Sequence, residues 1–201
     1  QTLVDASDNV WDIYKSDTYW GGLLSGKDQL EEVIAANTTG VTSMYAMFSG
    51  CSYLTSVPLF DTSSVTNMEG MFRYCSSFTS IPLFDTSLVT KMAKMFESCI
   101  KLVSVPLLDT SLVTNMNSMF DGCNRLTSVP LFDTSSLTSM GRMFYGCYAV
   151  ESGALALYQQ VSTQANPPTY HGSAFTNCGA DTTTGRAELS QIPSSWGGTG
   201  A

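Results

Sequence analysis

Apolar and polar positions along this chain follow a pattern that returns every 24 residues. One phrase opens at Val41 and again at Val65, Val89, Val113 and Leu137. Its second copy reads VTNMEGMFRYCSSFTSIPLFDTSL. Cys51, Cys75, Cys99, Cys123 and Cys147 keep the step, as do Phe48, Phe72, Phe96, Phe120 and Phe144. All ten methionines fall in two slots of the phrase, those of Met44 and Met47. Five of the seven prolines follow a Val or Ile that lies three places past a Leu or Phe.

Within a copy, Met68, Met71, Phe72 and Cys75 stand at i, i+3, i+4 and i+7, the spacing of one helical face. The positions between them (Asn67, Glu69, Gly70, Arg73 and Tyr74) are mostly polar. The pattern predicts a helix of about two turns, too short to persist unless neighbouring copies bury its apolar side. Thr66 and Glu69 offer it a capping box. Phe78 and Ile81 then predict a short strand stopped by Pro82, and Asp85-Thr86-Ser87 a turn closed by the aspartate side chain. Strand, turn and short helix stacked copy upon copy make a right-handed β/α solenoid, with strands paired in parallel at about 4.7–4.9 Å.

Worn copies stand at both ends, as a solenoid with an open core requires. In residues 17–40, Trp20, Leu23 and Leu24 replace Met, Met and Phe, and Asn37-Thr38-Thr39 replaces Asp-Thr-Ser. Phe175 with Cys178, then Leu189 to Pro193, form a sixth copy broken by insertions. The expected organisation is an N-terminal segment and capping repeat over 1–40, five repeats over 41–150, and a C-terminal helix with an interrupted cap over 151–201.

Composition narrows the function. The 201 residues are 43% apolar and 13% charged, which suits a packed domain rather than a disordered chain. Seventeen acids against nine scattered bases give a net charge of −8, so neither nucleic acid nor an anionic membrane surface is an expected partner. No apolar run approaches the ~20 residues of a membrane span, so direct membrane insertion is not expected. The chain opens at Gln1 without a signal-like segment, which reads as a fragment whose targeting sequence has been removed.

The run VTNMxxMFxxCxxLTSVPLFDTS resembles the BspA-like leucine-rich repeats of bacterial surface proteins, tightly over 41–147 and loosely over 17–40 and 170–193. The resemblance implies a leucine-rich-repeat solenoid, secreted or on the cell surface and used for adhesion or recognition. The tail ALALYQQVSTQANPP…IPSSWGG also looks like chain ends of tail-fibre or surface proteins of gut bacteria and their phages.

Several positions invite chemistry. The cysteine ladder lacks the paired C-x-x-C spacing of a metal site, and buried thiols packing as small hydrophobes are expected. The ladder of Asp61, Asp85, Asp109 and Asp133 places one carboxylate per repeat, which suits turn closure better than calcium. His171 stands alone beside Pro167-Pro168, without a catalytic motif, and is expected to be solvated. No catalytic residue, metal ligand or cofactor is expected.

Two faces remain as candidate binding surfaces. The strand side presents Thr55, Ser56, Thr79, Ser80, Ser104, Thr127 and Ser128, with Pro58, Pro82, Pro106 and Pro130. The helix side varies from copy to copy and carries Tyr45, Tyr53, Arg73, Tyr74 and Tyr145, with Lys94, Lys101, Arg125 and Arg142. Aromatic and Arg side chains are frequent anchors of interfaces. The expected function is a non-catalytic, adhesin-like recognition module for a protein or glycan of a host or neighbouring cell. The alternative is a structural part of a phage tail fibre or surface appendage. Neither oligomeric state nor ligand identity is fixed by the sequence.

Overall fold

A computed structural model describes residues 2–6, 10–14 and 22–201. Trp20, assigned above to the N-terminal capping repeat, lies outside the described residues. The chain winds into a solenoid whose coils follow the 24-residue repeat. The first four coils turn Val, both Met, Phe and Cys of their first half, and Leu/Phe, Val/Ile and Phe/Leu of their second (Val105 only half-buried), toward one continuous core. Leu137, Met140, Met143, Phe144, Cys147 and Val150 of the fifth extend it. Phe48, Phe72, Phe96, Phe120 and Phe144 stack as a column through that core, equivalent rings 5.2–5.9 Å apart. Phe175 of the interrupted sixth coil extends the column at 6.0 Å.

The arc expected to be a short helix is not one. In the first copy Met47, Ser49 and Cys51 donate their N–H groups three residues back, to Met44, Ala46 and Phe48. The intervening Met44, Ala46, Phe48 and Gly50 donate to Asn67, Glu69, Met71 and Arg73 of the next coil. The same two-way scheme recurs down to Gly146, which donates to Thr176. It requires a left-handed residue at the third position of alternate turns, and φ is positive at Ala46, Gly70, Lys94, Ser118 and Arg142. The position before each cysteine, Gly50, Tyr74, Ser98, Gly122 and Gly146, is left-handed as well. An isolated helix of this length gains little from its own bonds. Bonding alternate amides to the adjacent coil satisfies the backbone while leaving the apolar side chains inward. The capping box is likewise absent: Thr66 Oγ1 donates to Thr42 O, and Glu69 N donates to Asn67 Oδ1.

Parallel pairing is shifted from where it was expected. A run of bridges joins Ser43, Asn67, Lys91, Asn115, Ser139 and Tyr170, just before the methionine arc. The Leu-x-x-Val segment makes coil-to-coil bonds, such as Thr127 N to Val103 O, but only isolated bridges at Glu32–Ser56 and Ser128–Ser152. The proline that follows each copy removes one ladder donor there.

Both ends are closed by other means. At the N-terminal end β1 (Thr2–Ala6) pairs antiparallel with β2 (Val10–Tyr14), which pairs parallel with β3 (Glu32–Asn37). Gly22, Leu24 and Gly26 donate to Tyr45, Met47 and Ser49, so the worn first copy keeps the arc geometry. At the other end α1 (Ala154–Ser162) is inserted between the fifth and sixth coils and buries Ala154, Leu157 and Val161. Glu188 of α2 (Thr183–Leu189) accepts from Gly153 N and Leu155 N at the start of α1. Gly153 itself has φ 97°, and a side chain there would strike the Val129 carbonyl. Trp196 is buried, and its carbonyl accepts from Phe175 N.

Candidate functional site

Two ladders and a lone histidine that the sequence offered for chemistry are engaged in structure. Each core thiol, Cys75, Cys99, Cys123 and Cys147, donates at 3.1 Å to the carbonyl of a phenylalanine in the preceding coil, and Cys51 does so to Leu24. They pack as small buried groups and also tie coil to coil. Burial pushes the Cys51 thiol up to about 12 and the other core thiols well above their ordinary value. All six cysteines are free.

The aspartate ladder closes its own turns. Oδ1 of Asp61, Asp85 and Asp109 accepts from both the N–H and the hydroxyl of the serine two residues on, at 2.7–3.2 Å. Asp133 does the same with Ser135 N. Serine hydroxyl and amide donors hold Asp61 and Asp85 below the usual carboxylate range, and at Asp109 and Asp133 the amide is the larger cause. Among the described residues no cluster of three His, Cys, Asp or Glu could hold a metal ion. His171 departs from expectation: it is half-buried and its ring stacks on Trp196 with centroids 3.8 Å apart. The segment between them, which carries α2 (Thr183–Leu189), brings the two together from 25 residues apart, a distance no local pattern spans.

The two candidate faces are both present. Leu54 and Val57 point inward, and Thr55, Ser56, Thr79, Ser80, Ser104, Thr127 and Ser128 are exposed. Several are already occupied by the solenoid: Thr55 Oγ1 donates to Glu31 O, Thr127 Oγ1 to Val103 O, and Ser56 Oγ to Glu32 Oε1. On the arc side Tyr45, Tyr53 and Tyr74 are exposed and Arg73 and Tyr145 half-buried. Two of these form preset pairs. Arg73 bonds Glu97 of the next coil at 2.9 Å and the Tyr74 hydroxyl at 2.8 Å, its guanidinium 4.5 Å from the Tyr74 ring centre. Arg142 bonds Asp121 of the preceding coil at 2.8 Å and lies 3.8 Å from the Tyr145 ring centre. Each acid holds its arginine's affinity for a proton above the ordinary value. Tyr45, Glu69, Arg73 and Lys94 share a hollow of about 210 Å³.

A third face was not read from the sequence. Leu59, Leu83, Leu107 and Leu131 occupy one slot in four successive coils and are 67%, 61%, 64% and 55% exposed. Beside them run Asp61, Asp85, Asp109 and Asp133. Hollows of about 420 and 540 Å³ lie between the rungs, the first lined by Leu83, Leu107, Asp85 and Asp109, the second by Leu107, Leu131, Asp109, Asp133 and Gln160. The signal was in the doublet Leu59-Phe60 and its copies: neighbouring residues of an extended chain cannot both face the core. The phenylalanine or leucine that follows takes the inside place.

Among the described residues no helix is long and apolar enough to cross a membrane. No curated protein matches the chain. Among solved structures, the leucine-rich-repeat protein TpLRR of T. pallidum matches with a TM-score of 0.61 at 18% identity, covering 95% of this chain and 92% of that one. A leucine-rich-repeat protein from Eubacterium ventriosum matches with a TM-score of 0.49 at 15% identity, over 83% of this chain and 42% of the other. The first likeness fixes the architecture as a leucine-rich-repeat solenoid, a form whose extended surfaces serve protein interaction. The family model described as "Mycoplasma protein of unknown function, DUF285" matches residues 22–106 and again 80–166, together well over half of the sequence. The chain therefore belongs to the DUF285 family, and its coils are bacterial leucine-rich repeats of the BspA-like kind.

Proposed function

We propose that this chain is a non-catalytic, adhesin-like recognition module, displayed outside a bacterial cell and binding a protein or glycan of a host or neighbouring cell. One observation carries the reading. The core is nearly the same in every coil, whereas the exposed arc varies and holds aromatic and guanidinium groups in preset positions. Arg73 and Arg142 are each fixed by an acid from an adjacent coil and laid against a tyrosine. Groups ordered before the partner arrives lose less freedom on binding. Membership of the family, with its BspA-like repeats, agrees with this.

The test is binding of labelled chain to three panels: purified glycans, host matrix proteins and intact gut bacteria. Saturable binding to one panel, weakened roughly tenfold or more by Tyr45→Ala with Tyr74→Ala, is the expected result. A control series, Thr79→Lys with Thr127→Lys, reads the opposite side. Loss confined to that series would move the site to the strand side. Silence on all three panels from a cooperatively melting protein would overturn the reading.

A further inference from the structure

The leucine ridge has no role in the core and none in the turns. A single exposed leucine is ordinary on a protein surface. Four in one slot of successive coils, each more than half exposed, make a continuous apolar rail. Two features of the rail specify what would lie on it.

The first is charge. Each leucine stands two residues before an aspartate. Oδ1 of that aspartate is taken by its own turn, while among the described residues the second carboxylate oxygen of Asp85 and of Asp109 accepts no hydrogen bond. The hollows between rungs therefore have leucine walls and a carboxylate edge. That shape suits a Lys or Arg side chain, whose stem packs on apolar surface while its head meets the acid. A second copy of the chain would set one row of aspartates against another, and like charges across an interface select against a partner. An anionic membrane is repelled by the same row.

The second is spacing. Equivalent rings in successive coils, Phe60 and Phe84 next to the rail among them at 5.8 Å, are 5.2–5.9 Å apart, which gives the spacing of equivalent side chains from coil to coil. An α-helix lying along the solenoid presents one side chain per turn at about 5.4 Å. An extended strand in the same direction presents one side chain per face at about 6.6 Å, and slips by about 3 Å over three steps. The four rungs thus match about three turns of helix, roughly 11 residues. The chain already places a helix at the C-terminal end of this face. Gln160 of α1 lines the last hollow and donates to Phe132 O at 2.7 Å and Thr134 Oγ1 at 3.0 Å.

We propose that the rail formed by Leu59, Leu83, Leu107 and Leu131, with its aspartate edge, is a docking site for a cationic amphipathic helix of a partner protein. The proposal rests on the recognition reading above, and names the class of partner and a face that the sequence did not offer.

The probe is a fluorescent peptide of about 14 residues carrying Leu and Lys at helical spacing, titrated with the whole chain. Expected are saturable one-to-one binding, a gain of peptide helicity by circular dichroism, and roughly tenfold weaker binding to a Leu83→Ser, Leu107→Ser double variant. The double variant should melt where the parent does, since neither leucine is core. Asp85→Asn with Asp109→Asn should weaken binding at low salt and flatten its salt dependence. Equal binding of a scrambled peptide of the same composition, or unchanged binding to the leucine variant, would overturn the proposal. So would a concentration-dependent dimer of the parent that the leucine variant abolishes, because the rail would then serve self-association. If the peptide binds the leucine variant as it binds the parent while the three-panel assay still shows saturable binding, this proposal fails and the recognition reading stands. If the panels are silent while the peptide binds through the leucines, the reverse holds.

Discussion

At the scale of single residues, the phenylalanine column runs unbroken through the core from coil to coil. Phe96 sits in its middle, fully buried between Phe72 and Phe120. Phe96→Ala is expected to cost about 3–5 kcal/mol in a denaturant melt, because the rings above and below cannot close the gap without shifting two coils. The thiols beside the column give a sharper check of burial. Fewer than one of the six should react with a disulfide reagent at pH 8 in the native protein, and all of them once it is unfolded. The aspartates act in a different pH range. Their folded-state values lie below the unfolded one, so the stabilisation they give is complete above about pH 4 and lost as pH falls through the lower, folded values. Replacing all four by Asn keeps a turn-closing acceptor and should flatten the fall in Tm between about pH 4 and pH 2. Which residues are core was legible residue by residue, since a repeat shows each slot several times. His171 was not, because its stacking partner Trp196 lies beyond an insertion.

At the scale of the element, the methionine arc shows how one periodicity serves two backbones. Spacing of i, i+3, i+4 and i+7 puts four side chains on one face of a helix, and a string of turns with left-handed residues every fourth position does the same. Glycine was the available discriminator. Gly50, Gly70, Gly122 and Gly146 fall inside the arc, where a helix would be weakened and a left-handed turn favoured. Substitutions at these slots have opposite signs under the two backbones. Lys94→Gly should stabilise the protein by about 0.5–1 kcal/mol, since Lys94 holds φ 59° against the preference of a side-chain-bearing residue. Gly70→Ala should destabilise by about 1 kcal/mol, through backbone conformation alone, because a Cβ there meets nothing closer than Ala46 Cβ at 3.9 Å. A helix would give the reverse for Lys94→Gly, and equilibrium unfolding of the two variants decides between them.

At the scale of the whole molecule, joins between coils are nearly equivalent, so the number of coils is not fixed by the fold. Excising residues 89–112 would join Leu88 to Val113 in register, and the shortened chain should fold cooperatively with a smaller denaturant m-value. Excising half a coil should abolish folding, and circular dichroism melts of the two deletions compare them directly. The solenoid could be read from the repeat, but the leucine rail could not be recognised as a face until the inward place of Phe60, Phe84, Leu108 and Phe132 was known. One further property follows from the amides of the arc. Met44, Ala46, Phe48, Gly50 and their equivalents all donate toward the following coil and never toward the preceding one. These peptide groups, each carrying a dipole of about 3.5 D, are therefore aligned along the solenoid axis and add from coil to coil. Amides such as Thr66 N and Thr127 N donate the other way, to the preceding coil, but they are fewer per coil than the four of the arc. The net positive pole therefore falls at the C-terminal end, opposite in sense to an α-helix, and the rod should orient in an electric field. Transient birefringence would read a moment that grows by one fixed increment with every coil inserted.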